Sequence, residues 1–310
     1  MRRIGQRQGE PNGKLLLLLG QIHGNEPAGT KAIKRFFERL DFEATRNHLF
    51  KWQGSVIGLL GNVEAAMQQK RFIEEDLNRL FTPELTSETK KTTTYQIHEH
   101  YELRALINEI KTILDSQKIR ELYVLDLHTT SGGGGIFVLP GFSEVSKQIA
   151  AQIPAPTILK IAETLHGTTL HYFNSENFKI PVHSVVFEAG QHDDLLAIDN
   201  ALAAIICTMR SIGMIHPNDV ETKHELRLKA IAQKLPPIGE VFFKYQIPPN
   251  AHFEMLSGFK SFDKITKGQH LADLDHQPIL APADGYLLMP KYQPSGQDGF
   301  FLFNENTTNV

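Results

Sequence analysis

The chain has 310 residues, 41% of them hydrophobic and 22% charged, with a formal net charge of −3. That is enough for one large globular domain or two unequal ones, and the charge balance gives no overall pull toward nucleic acid or anionic lipid. A single cysteine, Cys207, excludes an internal disulfide and any cysteine-built zinc site.

The opening MRRIGQRQGE is basic but lacks the apolar segment and cleavage site of a signal peptide, and no stretch is long enough to span a membrane. A cytoplasmic protein with no membrane partner is the expectation. The first strong element is Lys14–Gly20, in which five consecutive leucines predict a strand buried on both faces of a largely parallel sheet. Pro27 suits the first turn of a helix, and Ala28, Ile33, Phe36, Phe37 and Leu40 recur at helical spacing, predicting an amphipathic helix over Pro27–Leu40. A second strand is read at Trp52–Gly61, followed by a helix in VEAAMQQK and the densely charged KRFIEEDLNRLF, Lys70–Phe81. Thr82–Thr94 reads as an exposed loop, and Tyr95–Leu114 as a long helix.

Glu121–Leu127 is a further buried strand that runs directly into His128, and the glycine-rich Ser131–Gly135 separates it from a strand at Ile136–Leu139. Strand patterns follow at Thr168–Phe173 and Ser184–Glu188, and a helix at Leu195–Arg210 that carries Cys207 as a buried thiol. Strands alternating with helices predict a layered α/β domain. From Lys234 onward Pro and Gly interrupt short apolar runs every few residues, as in a small antiparallel β domain. The division read from this change is 1–225 for the α/β domain and 226–310 for the β-rich one. ILAPADGYLLMP loosely suggests a biotinyl/lipoyl barrel, but no lysine stands at a hairpin tip. The tail Asn304–Val310 reads as frayed.

His23 and Glu26 lie in the loop closing the first strand, and His128 at the end of another, so all three belong to the carboxyl edge of the sheet, where open α/β sheets place ligands. Two imidazoles and a carboxylate form an N₂O set that leaves a fourth position for water, the pattern of a catalytic zinc site. Asp126 precedes His128 on the same face and could orient its ring. His98 and His100 diverge on a helix. The glycine-rich loop lacks the Gly-Lys-Thr/Ser opening of a phosphate cradle.

GQIHGNEPAG, KRFIEEDLNRLF, DLHTT and VVFEAG, in that order, resemble the succinylglutamate desuccinylase/aspartoacylase family, a branch of the zinc carboxypeptidase-like α/β enzymes. The resemblance covers roughly residues 14–215. It implies one zinc ion per chain on His23, Glu26 and His128, and a general acid/base at Glu188 that takes a proton from water and returns it to the leaving amine. It also implies that Asn78 and Arg79 hold the α-carboxylate of an N-acyl amino acid, while Arg71 polarises the scissile carbonyl. Asp76 is expected to support these cations. The aspartoacylase branch has an arginine about ten residues before the catalytic glutamate; this chain has Asn177, Phe178 and Lys179 there, so either Lys179 replaces that charge as a point cation or the substrate carries a different second group.

The expected protein is thus a zinc-carboxypeptidase-like α/β fold with a smaller C-terminal β domain, and a zinc amidohydrolase cleaving a small N-acyl amino acid. A zinc carboxypeptidase acting on a peptide end and a non-catalytic zinc-binding module are the alternatives. A homo-oligomer is compatible with the sequence.

Overall fold

The computed structural model describes residues 1–87, 97–220 and 223–306. Strands β1 (Arg3–Gln8) and β2 (Glu10–Gly20) lead into helix α1 (Pro27–Arg46). After β3 (Gln53–Leu60) come α2 (Val63–Met67), a tight turn of helix at Leu77–Arg79, α3 (Pro83–Thr86) and α4 (His98–Ser116). The chain then forms β4 (Glu121–Thr130), β5 (Ile136–Pro140), α5 (Glu144–Gln152) and β6 (Thr157–Leu159). Single-turn helices α6 (Ile161–Thr164), α7 (Thr169–Tyr172) and α8 (Ser175–Phe178) precede β7 (Val182–Gln191), α9 (Leu196–Ser211) and α10 (Lys223–Ala232). The remainder is β8 (Ile238–Gln246), β9 (Phe253–Met255), β10 (Lys264–Ile265), β11 (His270–Leu274), β12 (Gln277–Leu280), β13 (Gly285–Leu288) and β14 (Asp298–Glu305).

Among the described residues eleven strands form one mixed sheet in the order β1-β3-β2-β4-β7-β5-β6-β8-β14-β13-β10, and β12-β11-β9 form a separate antiparallel sheet. The centre is parallel: β2 pairs with β3 and β4, and β4 with β7. Its leucine run divides between two cores, as alternation in a strand requires. Leu16 and Leu18 meet Ile33 and Phe36 of α1 and Ile205 of α9, whereas Leu15, Leu17 and Leu19 meet Leu106, Ile107 and Ile110 of α4. Each buried leucine contributes about 1.5–3 kcal/mol over an exposed one. The sheet continues into the C-terminal strands because β6 pairs in parallel with β8.

The predicted helix beginning at Pro27 runs on to Arg46. Thr168–Phe173 is not a strand. Backbone bonds from Tyr172 N–H to Thr168 and from Phe173 N–H to Thr169 close a helical turn, and the Thr169 N–H and hydroxyl are bonded to Asn78 and Asp126. Edge strand β1 carries no apolar run because Arg3 and Arg7 point to ion pairs with Glu109 and Asp41. The loop read at 82–94 includes α3, while 88–94 lie outside the described residues, as do Tyr95, Gln96 and the tail from 307. Among the described residues no helix is long and apolar enough to cross a membrane.

Candidate active site

The carboxyl ends of β2, β4 and β7 lie side by side, and this edge carries the charged residues singled out in the sequence. The β2–α1 loop turns back at Gln21, whose φ is +54° and whose side-chain N–H₂ donates to the Gly24 carbonyl at 2.7 Å. Gly24 must lack a side chain, since a Cβ there would stand 2.2 Å from the Ala65 backbone. Glu26 occupies the N-cap position of α1 but makes no side-chain cap bond. Its carboxylate instead meets His23 Nδ1 at 2.9 Å and His128 Nδ1 at 3.0 Å, and accepts from Thr129 N–H at 3.0 Å.

The far nitrogen of each imidazole is held by another carboxylate: His23 Nε2 lies 3.0 Å from Asp76 and His128 Nε2 3.0 Å from Asp126. With Nε2–H donated outward, both Nδ1 lone pairs face the Glu26 carboxylate. Three buried acceptors then converge, with ligand atoms of His23, Glu26 and His128 all within 4.8 Å of one another. Such a set fits a divalent cation, and outer carboxylates that fix the ring tautomers are the usual support of histidine metal ligands. Burial opposes charge at Glu26, yet His23 and His128 hold its carboxyl well below the usual range. Burial likewise opposes a charged His128, but Asp126 and Glu26 outweigh it and hold the imidazole well above its ordinary value.

Glu188 of β7 stands in register with His128 of β4. It is 5% exposed, and its Oε2 has no hydrogen-bond partner among the described residues. Burial, aided by Glu26 and Asp126 and opposed by His128 and Arg71, pushes its pKa up to about 8. Arg71 donates to Asp76 at 2.9 Å and lies 3.6 Å from Glu26. Arg79 is ion-paired with Asp298 of β14, and Asn78 accepts from Thr169 N–H at 2.9 Å.

The structure therefore brings His23, Glu26, His128, Glu188, Arg71 and Arg79 around one cleft, with Asn78 on its adjoining inner wall. It does not bring Lys179 there: that residue is exposed at the end of α8, in a left-handed conformation, and lines neither part of the cleft.

Three contributions escaped the sequence reading. Buried Glu99 accepts from the N–H groups of Ile73, Glu74 and Glu75 and from the Asn62 amide, fixing the loop that delivers Arg71 and Asp76. Thr169 Oγ1 donates to Asp126 at 2.7 Å, setting the carboxylate behind His128. The segment Met289–Asp298 roofs the cleft. It is fastened by Tyr292 N–H to Ser131 and by Gln293 to His192 and Asn25, so the glycine-rich loop is its dock. Only Glu99 left a trace, as a carboxylate on an otherwise apolar helix face.

The Succinylglutamate desuccinylase/Aspartoacylase catalytic domain matches residues 12–199. The chain is 23% identical over 271 residues to the succinylglutamate desuccinylase of Pseudomonas putida, covering 83% of this chain and 72% of that enzyme. With the succinylglutamate desuccinylase of Pseudomonas fluorescens it is 32% identical over 125 residues, 40% of this chain and 33% of that one. The crystal structure of a succinylglutamate desuccinylase/aspartoacylase from Rhodobacter sphaeroides superposes with a TM-score of 0.64 at 15% identity, covering 98% of this chain and 88% of that one. At that identity the likeness is one of fold.

Proposed function

This chain belongs to the succinylglutamate desuccinylase/aspartoacylase family of amide-bond deacylases, and on that premise we propose that it is a zinc-dependent amidohydrolase that splits an N-acyl amino acid into a carboxylate and a free amino acid. The observation that carries the reading is the meeting of two imidazole nitrogens and the Glu26 carboxylate beside the unpartnered Glu188 oxygen. His23, Glu26 and His128 would hold the zinc. When bound, it supplies Lewis acidity, acidifying water and offsetting negative charge on the carbonyl oxygen.

The chain's own residues do the rest. Glu188 in its ionised form accepts a proton from the attacking water as the water oxygen bonds to the acyl carbon. It returns that proton to the amide nitrogen as the C–N bond breaks, so the amine leaves neutral. To serve as that base Glu188 has to shed the proton that its burial favours, and the charges of His128 and Arg71 work in that direction. Arg71, held by Asp76, turns its guanidinium to the developing oxyanion. Arg79 offers a fork for a carboxylate, and Asp298 already sits on it as an internal one. Asn78 has its amide oxygen occupied by Thr169, leaving its N–H₂ as the group that can donate.

The roof formed by Met289–Asp298 favours a small substrate over a polypeptide. The test is release of free amine from a panel of N-acyl amino acids and a dipeptide, before and after metal removal and zinc readdition. Hydrolysis of an acyl amino acid that is lost on stripping and restored by zinc is expected; a zinc-loaded protein that cleaves only the dipeptide overturns the proposal.

A further inference from the structure

Arg71, Arg79 and Lys291 are the arginine and lysine side chains that line the cleft among the described residues. Arg71 is bonded to Asp76, and Arg79 is paired with Asp298. Lys291 has no carboxylate partner among the described residues. Its Nζ reaches the Pro294 carbonyl at 3.4 Å and lies 5.7 Å from the centroid of Phe253. The carboxylates that hold the two arginines have further partners: Asp76 also serves His23, and Asp298 lies 3.6 Å from Lys244.

A half-buried ammonium held without a counter-ion is electrostatically costly, and burial together with the Arg71 charge pushes Lys291 below the usual lysine range. The space before it is open. Gly296, with φ at +104°, separates Arg71 from Lys291, and a Cβ at that position would stand 3.8 Å from both Arg71 Nε and Lys291 Cε. No side chain fills the gap between these two cations. The lysine is also held in place, because the adjacent Tyr292 donates its N–H to Ser131 and its hydroxyl to the carbonyls of Leu256 and Phe259.

We infer that Lys291 is a specificity-determining residue of this cleft, receiving a second carboxylate of the substrate from the C-terminal rim while Asn78 and Arg79 receive the first. The inference rests on the deacylase reading above, and it gives Lys291 the role that the sequence alone offered to Lys179. The second carboxylate belongs either to the amino-acid side chain or to the acyl group, and the chemistry recognised is the same for both.

The experiment compares zinc-loaded wild type, Lys291→Met and Lys291→Arg on N-acetylaspartate, N-succinylalanine and N-acetylalanine. The wild-type preference for one dicarboxylic compound over N-acetylalanine, as a ratio of kcat/KM, identifies which carboxylate is read. In Lys291→Met that ratio falls by about 10²-fold, and Lys291→Arg retains most of it. An equal loss on all three substrates, or an undiminished ratio, overturns the assignment. Equilibrium binding of succinate and aspartate against butyrate and alanine needs no turnover, so it separates this claim from the deacylase reading. A wild-type preference for the dicarboxylates that disappears in Lys291→Met supports Lys291 even in a protein that hydrolyses none of the amides. A preference that persists in the variant, or is absent from the wild type, refutes it.

Discussion

Glu188 of β7 lies across the β4/β7 ladder from His128, and its Oε2 has no hydrogen-bond partner among the described residues. In the metal-free protein this carboxyl is a weak acid, with a pKa near 8 against 4.5 in the unfolded chain. Folding therefore favours proton uptake at pH values between the two. The associated stability is complete below about 4.5 and is lost as pH rises through 8. Infrared spectroscopy of metal-free protein at pH 7 should show a protonated carboxyl stretch that vanishes above pH 8 and is missing in Glu188→Gln. Its absence from the wild type at pH 7 would contradict the burial argument.

Zinc binding should release a proton. His128 is held in its charged form by Asp126 and Glu26, and a metal takes the nitrogen that carries that proton. Calorimetric titration of zinc in buffers of different ionisation enthalpy should give net release of at least one proton per ion at neutral pH, from His128 and from Glu188 as it ionises. Uptake, or no buffer dependence, would place zinc elsewhere.

Asp126 sits behind His128 and is itself held by Thr169. Asp126→Asn should lower zinc affinity by about 10–100-fold. Thr169→Val should weaken it less, because Asp126 keeps its bond to the ring. Competition with a chromophoric chelator measures both.

Glu99 serves the site from a distance. Glu99→Ala removes the acceptor of the part-buried hydrogen bonds from the N–H groups of Ile73, Glu74 and Glu75. A loss of about 3 kcal/mol in urea unfolding is expected, together with a lower kcat from a loosened Arg71. Full stability in the variant would mean that the loop finds other acceptors.

The central architecture was legible because it is written in strong periodic signals. Leu15–Leu19 announce a strand buried on both faces, and Ile33, Phe36 and Leu40 a helix packed against it. His23, Glu26 and His128 were legible as a set because each follows such a strand. What the sequence hid depends on long-range contacts. Thr168–Phe173 alternates like a strand, but its backbone is bent into a turn by bonds to Asn78 and Asp126. β1 has the polarity of a loop because its arginines find partners on α1 and α4. Lys291 and Asp298 reach the cleft only because β8 continues the sheet from β6 and carries the C-terminal strands around to the roof. Neither residue has a local neighbour that betrays its destination.

Free-amine release from N-succinylglutamate and N-acetylaspartate, by wild type and Glu188→Gln with zinc stoichiometry measured on both, tests the zinc amidohydrolase most directly. One zinc per chain in each, hydrolysis by the wild type, and a loss of about 10²-fold or more in kcat for the variant are the predicted results. Undiminished hydrolysis by a fully zinc-loaded Glu188→Gln would contradict it.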